Sequence, residues 1–188
     1  MVEVRPLDLA GVFEILAPRF GDDRGFFSET WNKAELAAAG IDVDFVQDNH
    51  SFSAARGVLR GLHLQLGPHA QDKLVRVVRG AIWDVAVDLR PQSPTCGRWI
   101  VLEVSAQRWN QIFIPRGFAH GFVTTEPGTE VIYKVSAPYA SGWERTLQFD
   151  DSTLAIPWPV SAPELQLSAK DRDGLSFEAV LALVRRGG

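Results

Sequence analysis

Lys73-Leu-Val-Arg-Val-Val-Arg79 and, after one glycine, Ala81-Ile-Trp-Asp-Val-Ala-Val-Asp-Leu89 decide the fold class. Both runs are short and rich in β-branched residues, and Gly80 closes the first and opens the second. In the second run the side chains alternate. Trp83, Val85, Val87 and Leu89 share one face of a strand, and Asp84, Ala86 and Asp88 share the other. Further runs lie at Trp99 to Val104, Gln111 to Ile114, Gly121 to Thr125 and Glu130 to Val135, bounded by Gly, Pro, Asn and Asp. Many short strands joined by tight turns, from about Phe45 to Phe149, predict an all-β sandwich or barrel such as a jelly roll.

Two peripheral segments read as helices. Asn32 is placed to cap Lys33-Ala-Glu-Leu-Ala-Ala-Ala39, with Gly40 as the stop. Ser176 is placed to cap Phe177 to Arg186, where Phe177, Val180, Leu181 and Val184 form one apolar stripe. Ile156-Pro-Trp-Pro-Val160 is too rich in proline for a central strand. No linker or repeat divides the chain, so a single domain over 1–188 is expected. Its core spans about 45–150, with an N-terminal extension and a C-terminal helix packed on it.

Composition narrows the function. The 188 residues are 46% hydrophobic and 22% charged, ordinary values for a globular chain. Nineteen Lys and Arg against 23 Asp and Glu leave a net charge of −4, which argues against nucleic-acid binding but permits a local basic pocket for one anionic small molecule. The single cysteine, Cys96, excludes an internal disulfide and a cysteine-based zinc site, and fits a reducing compartment. Met1 to Gly11 lacks the apolar stretch of a signal peptide, and no run is long enough to span a membrane. A cytoplasmic location is expected.

Chemistry-bearing residues cluster in a few motifs. Of four histidines, His63 lies in Gly57-Val-Leu-Arg-Gly-Leu-His63, and His120 in Ile114-Pro-Arg-Gly-Phe-Ala-His-Gly121. The latter reads as a turn delivering a histidine to the start of a strand. His63 is followed by Leu64 and Gln65, so the His-x-His pair of metal-binding jelly rolls is missing, and no metal is expected. Arg24, Arg60, Lys73, Arg76 and Arg116 recur near these segments and could line a phosphate pocket. Arg24 is followed by Gly25, Phe26 and Phe27, rings able to stack on a base or sugar.

Taken in order, the motifs are Gly21-Asp-Asp-Arg-Gly-Phe-Phe-Ser-Glu29, Phe45-Val-Gln-Asp-Asn-His-Ser51, Gly57 to His63, Ala70-Gln-Asp-Lys-Leu-Val-Arg76, Asp84-Val-Ala-Val-Asp88, Ser93-Pro-Thr95, Ile114 to Phe122, Tyr133-Lys134 and Leu167-Ser-Ala-Lys-Asp171. The series closely resembles the dTDP-4-dehydrorhamnose 3,5-epimerases, a cupin-type jelly-roll family that works without metal or cofactor. The resemblance implies a dTDP-sugar substrate, dTDP-4-dehydro-6-deoxy-D-glucose, and a product, dTDP-4-dehydro-L-rhamnose, on the route to dTDP-L-rhamnose. Composition alone reads Lys170-Asp-Arg-Asp-Gly174 as a solvated turn, but by motif the resemblance makes His63 the general base, Asp171 its orienting partner, Tyr133 the general acid and Lys73 the group beside the C4 oxygen. It assigns Arg24, Phe27, Glu29, Gln47, Asn49, Arg60, His120, Glu144 and Lys170 to substrate binding, and Tyr139 to stacking on thymine. It also implies a homodimer in which the partner chain completes the nucleotide pocket, and no nucleic-acid or membrane partner.

The chemistry asks for such a set. C3 and C5 flank the C4 ketone, so loss of either proton gives an enolate. Inversion needs a base on one face of the sugar and an acid on the other. A carboxylate on the far nitrogen of the histidine fixes its tautomer, and a lysine stabilises the enolate charge. Three positions depart from the family: Asp72 for a usual Gly, Pro138 for a Tyr and Leu64 for an aromatic. Asp72 is expected to turn away from Lys73. Strict alternation puts Arg60 and His63 on opposite strand faces, so a bulge is expected at Gly61. An epimerase acting at C3 or C5 alone, a non-catalytic sugar-nucleotide-binding module and a metal-dependent cupin oxygenase are the competing readings.

Overall fold

A computed structural model describes residues 2–187. The alternating strands build two antiparallel sheets that face each other. The first runs in the order β1 (Glu3–Pro6), β2 (Phe13–Leu16), β10 (Asn110–Ile114), β7 (Lys73–Arg79), β12 (Thr129–Val135) and β5 (Gln47–Ser53). The second runs β13 (Glu144–Thr146), β6 (Leu59–Gln65), β11 (Phe118–Thr124), β8 (Ala81–Asp88) and β9 (Trp99–Ser105). A separate hairpin pairs β3 (Phe20–Asp22) with β4 (Gly25–Phe27). This is the expected jelly roll, built as two facing sheets rather than closed by hydrogen bonds into one barrel.

The alternation in β8 separates two cores. Ile82 and Ala86 face between the sheets, packing with Val75, Val77, Ile112, Ile114 and Phe122. Val85, Val87 and Leu89 face outward into a second cluster with Leu62, Leu64 and Leu154. That outer face is covered by α3 (Phe177–Arg185), whose Phe177, Val180 and Leu181 are buried. Each large aliphatic side chain so buried is worth roughly 1.5–3 kcal/mol, more than a nine-residue helix could supply alone. Ser176 caps α3 by accepting from the Ala179 N–H, and Asn32 caps α1 (Lys33–Ala38) by accepting from Ala34 and Glu35. Helix α1 and the segment after it cover the outer face of the six-stranded sheet through Leu36 and Ile41, which pack with Ile15, Leu74 and Phe113. Among the described residues no helix is long and apolar enough to cross a membrane.

Two expectations need correction. Strand β11 begins at Phe118, not Gly121, so His120 lies inside the strand, 7% exposed, rather than at its start. The Lys170-Asp171-Arg172 segment, whose composition suggests a solvated turn, forms a one-turn helix, α2 (Ala169–Arg172), with Asp171 buried. Its Ser168 cap accepts from the Asp171 N–H.

Candidate active site

A cleft of about 510 Å³ opens between the two sheets. Its chemistry starts from an irregularity in β6. His120 on β11 sits opposite His63, and Phe122 opposite Arg60, so between these pairs one residue of β11, Gly121, faces two of β6, Gly61 and Leu62. This is the bulge expected at Gly61, and it lets Arg60 and His63 line one cleft. Only glycine fits there: its φ is +124°, and a Cβ would lie 2.5 Å from Gly121 Cα and 2.8 Å from the His120 carbonyl oxygen.

The bulge also points the Gly61 N–H at Asp171 Oδ1, 3.3 Å away. The same oxygen lies 2.7 Å from His63 Nε2, while Oδ2 accepts from Ser168 Oγ at 2.7 Å. Burial pushes the Asp171 carboxyl up, but the hydrogen bonds from His63, Ser168 and Gly61 outweigh it and hold the group below the usual range. An ionised Asp171 accepts only, so His63 Nε2 carries its proton and Nδ1 is left as the basic nitrogen.

Lys73 rises from β7 in the opposite sheet and is 8% exposed. Its Nζ donates to the His63 carbonyl at 3.3 Å, spanning the cleft. Burial lowers its pKa to about 8, against the upward pull of Asp84 and Glu144. Tyr133, on β12 of the same sheet as Lys73, is pushed above its ordinary value by burial, which keeps the phenol protonated. His120 Nε2 lies 2.8 Å from Asp84 Oδ2; burial pushes the imidazole down despite that carboxylate. Asp84 is fully buried, and its Oδ1 has no protein partner among the described residues.

The mouth of the cleft is polar. Tyr139 Oη donates to Glu144 Oε2 at 2.8 Å, and Lys170 Nζ lies 2.5 Å from the same oxygen. Burial raises the Glu144 carboxyl, but Lys170 and Tyr139 bring it below its usual value. Gln47 donates to Asn49 Oδ1 at 2.8 Å, and Arg60 donates to Ser53 Oγ and the Phe52 carbonyl.

The cleft therefore gathers His63, Asp171, Tyr133, Lys73, Gln47, Asn49, Arg60, His120, Tyr139, Glu144 and Lys170 from the expected set. Arg24, Phe27 and Glu29 stand apart from it. Arg24 pairs with Asp22 on the β3–β4 hairpin, Phe27 is 69% exposed there, and Glu29 accepts from Asn32. Arg76 and Arg116 are not pocket residues either. Arg76 points to the outer side of β7, near Thr30 and Gln111. Arg116 is taken by Asp72, which turns away from Lys73 and accepts from the Arg116 backbone, from its guanidinium at 2.7 Å and from Ser136 Oγ at 2.8 Å. The sequence reading missed Asp84, Ser168 and Gln65. A carboxylate on the inward face of an apolar strand was the available signal for Asp84. Among the described residues no three His, Cys, Asp or Glu side chains group as a metal site.

Fold and cleft together define a jelly-roll protein whose cleft places a histidine–carboxylate pair across from a buried lysine and a tyrosine, beside a polar mouth. Residues 6–179 match the family model described as dTDP-4-dehydrorhamnose 3,5-epimerase. The enzyme of that name from Pseudomonas aeruginosa is 51% identical over 165 residues, covering 87% of this chain and 90% of its own. The dTDP-4-dehydrorhamnose 3,5-epimerase of Bacillus anthracis, solved with TDP and PPi bound, superposes with a TM-score of 0.91 at 44% identity, covering 94% of this chain and 99% of the other. A Legionella pneumophila 3,5-epimerase in complex with dTDP-4-keto-L-rhamnose gives 0.92 at 37% identity, with 98% and 97% covered. This chain belongs to the dTDP-4-dehydrorhamnose 3,5-epimerase family.

Proposed function

We propose that the chain converts dTDP-4-dehydro-6-deoxy-D-glucose to dTDP-4-dehydro-L-rhamnose, an isomerisation of dTDP-rhamnose biosynthesis. The observation that carries this reading is the placement of His63 and Tyr133 on opposite sheets bordering one cleft. His63 removes the proton from C3 or C5, and Asp171 balances the imidazolium that forms. Tyr133 returns a proton from the other face. Lys73 stabilises the enolate on the C4 oxygen, a contribution of about 2.7–4 kcal/mol for a well-placed donor. Below its pKa of about 8 the group is an ammonium ion, the form that task requires.

At the mouth, Arg60 and Lys170 suit a diphosphate, and the exposed ring of Tyr139 suits a pyrimidine base. The TDP and dTDP-sugar bound by the two solved relatives support that assignment. Arg24, Phe27 and Glu29 then act from a second copy of the chain. Their exposed hairpin, with Phe20 and Phe26 also more than half exposed, is suited to reach the partner's cleft in a homodimer. The enzyme works in the cytoplasm. Incubating purified protein with the substrate and identifying the sugar by NMR tests the reading. The L-rhamno product is expected from the native chain and not from His63→Ala. A product inverted at one carbon alone would replace this reading with a monofunctional epimerase.

A further inference from the structure

Residues 136–143, which carry Tyr139 and lead into β13, lie outside the strands, yet side-chain amides from three neighbouring segments hold them. Gln71 Nε2 donates to the Ala137 carbonyl at 2.8 Å, and Gln47 Oε1 accepts from the Tyr139 N–H at 3.0 Å. Gln65, at the end of β6, does most of this. Its side chain is 6% exposed, and both ends of its amide are used. Nε2 donates to the Pro138 carbonyl at 3.2 Å and to the His69 carbonyl at 2.8 Å. Oε1 accepts from the Ala140 N–H at 2.6 Å. One buried amide thus grips the backbone on both sides of Tyr139, much as a strand partner would.

We propose that Gln65 is a positioning residue for the nucleotide end of the cleft, holding the Tyr139 ring ready for a pyrimidine before the ligand arrives. The inference rests on the reading of Tyr139 as the base platform given above. Gln65 follows the catalytic histidine by two residues in the same strand, so β6 both presents the base catalyst and anchors the platform. A loop fixed in advance does not have to be ordered by the ligand, and that saving appears as affinity. Gln65 therefore acts through Tyr139 and not on the phosphates, which Arg60 and Lys170 hold.

The test compares dTDP and inorganic pyrophosphate as calorimetric probes of the full-length protein. Gln65→Met keeps the length of the side chain and removes the amide. It is expected to weaken dTDP roughly tenfold, about 1.4 kcal/mol, the scale of a lost hydrogen bond or two. Pyrophosphate affinity stays within about twofold, and in a Tyr139→Ala background the same change costs dTDP almost nothing more. Equal losses for both probes, or fully additive losses with Tyr139→Ala, would overturn the proposal and make Gln65 a general packing residue. A native chain that binds pyrophosphate but not dTDP would overturn the nucleotide reading itself. Hydrogen exchange on the unliganded native chain needs no variant: the Ala140 and Tyr139 amides should exchange as slowly as those of β12. Fast exchange there would refute a platform fixed in advance.

Discussion

Replacing Lys73 by Met should make the protein more stable near neutrality and inactive, with a pH dependence that burial dictates. Lys73 is 8% exposed, and its ammonium has one hydrogen-bond partner among the described residues, the His63 carbonyl at 3.3 Å. Burial lowers its pKa from 10.5 to about 8, with Asp84 and Glu144 resisting and Lys170 adding to the shift. Between those two values the unfolded chain binds the proton and the folded chain does not, so stability rises with pH across that window. Below about pH 8 the full penalty of the buried charge is present, about 3 kcal/mol at pH 7; near pH 10 about 1 kcal/mol remains. Methionine has nothing to titrate. The stability difference between Lys73→Met and the native chain should therefore shift in favour of the variant by about 2 kcal/mol on going from pH 10 to pH 7. Urea denaturation of both proteins at the two pH values measures it, provided the slopes agree. A difference constant to within ~0.5 kcal/mol, or one that moves the other way, would refute a buried charged lysine. Turnover by the native enzyme should decline as pH rises through about 8, where the ammonium is lost.

Asp171→Asn keeps the geometry, because Gly61 and His63 both donate to one oxygen while the amide nitrogen can turn to Ser168; it removes only the charge. A charge pair about 4 Å apart at an effective dielectric of about 20 is worth about 4 kcal/mol, so kcat should fall roughly 10²–10³-fold, read by steady-state kinetics. Gly61→Ala places a Cβ 2.5 Å from Gly121 Cα at a φ of +124°. Calorimetry should show a loss of roughly 3 kcal/mol or more, or no folded protein. Asp72→Ala releases Arg116 and Ser136 together. Burial raises the Asp72 carboxyl, but those partners hold it below 3.8, so its stabilisation exists above that pH and is lost as pH falls through the lower folded value. Denaturation should show a cost of about 1–3 kcal/mol at pH 7 that shrinks towards pH 3.

Local residue order made much of the architecture readable. Alternation in β8 named the two faces correctly, and the caps at Asn32 and Ser176 located both longer helices. Alternation also forced the bulge at Gly61, since Arg60 and His63 could not otherwise share a cleft. What stayed hidden depends on residues far apart in the chain. Asp171 looked solvated because its burial comes from docking against β6, 108 residues earlier. Arg116 looked like a phosphate ligand because nothing local reveals that Asp72, 44 residues before it, neutralises it. Asp84 was visible as an inward carboxylate, but its pairing with His120 exists only after β8 and β11 align. The hairpin residues Arg24 and Phe27 stand apart from the cleft of their own chain, and the order of motifs along a sequence gives no distance between them.

The central claim is proton transfer on two faces of the sugar by His63 and Tyr133. Proton NMR of dTDP-4-dehydro-6-deoxyglucose in D₂O, with the native chain, His63→Ala and Tyr133→Phe side by side, tests it most directly. The native chain should place deuterium at both C3 and C5 of an inverted product, and His63→Ala should exchange neither. In Tyr133→Phe the base can still remove a proton and return one to the same face, so deuterium should enter sugar of unchanged configuration. Undiminished exchange with His63→Ala, or full inversion with Tyr133→Phe, would contradict the assignment.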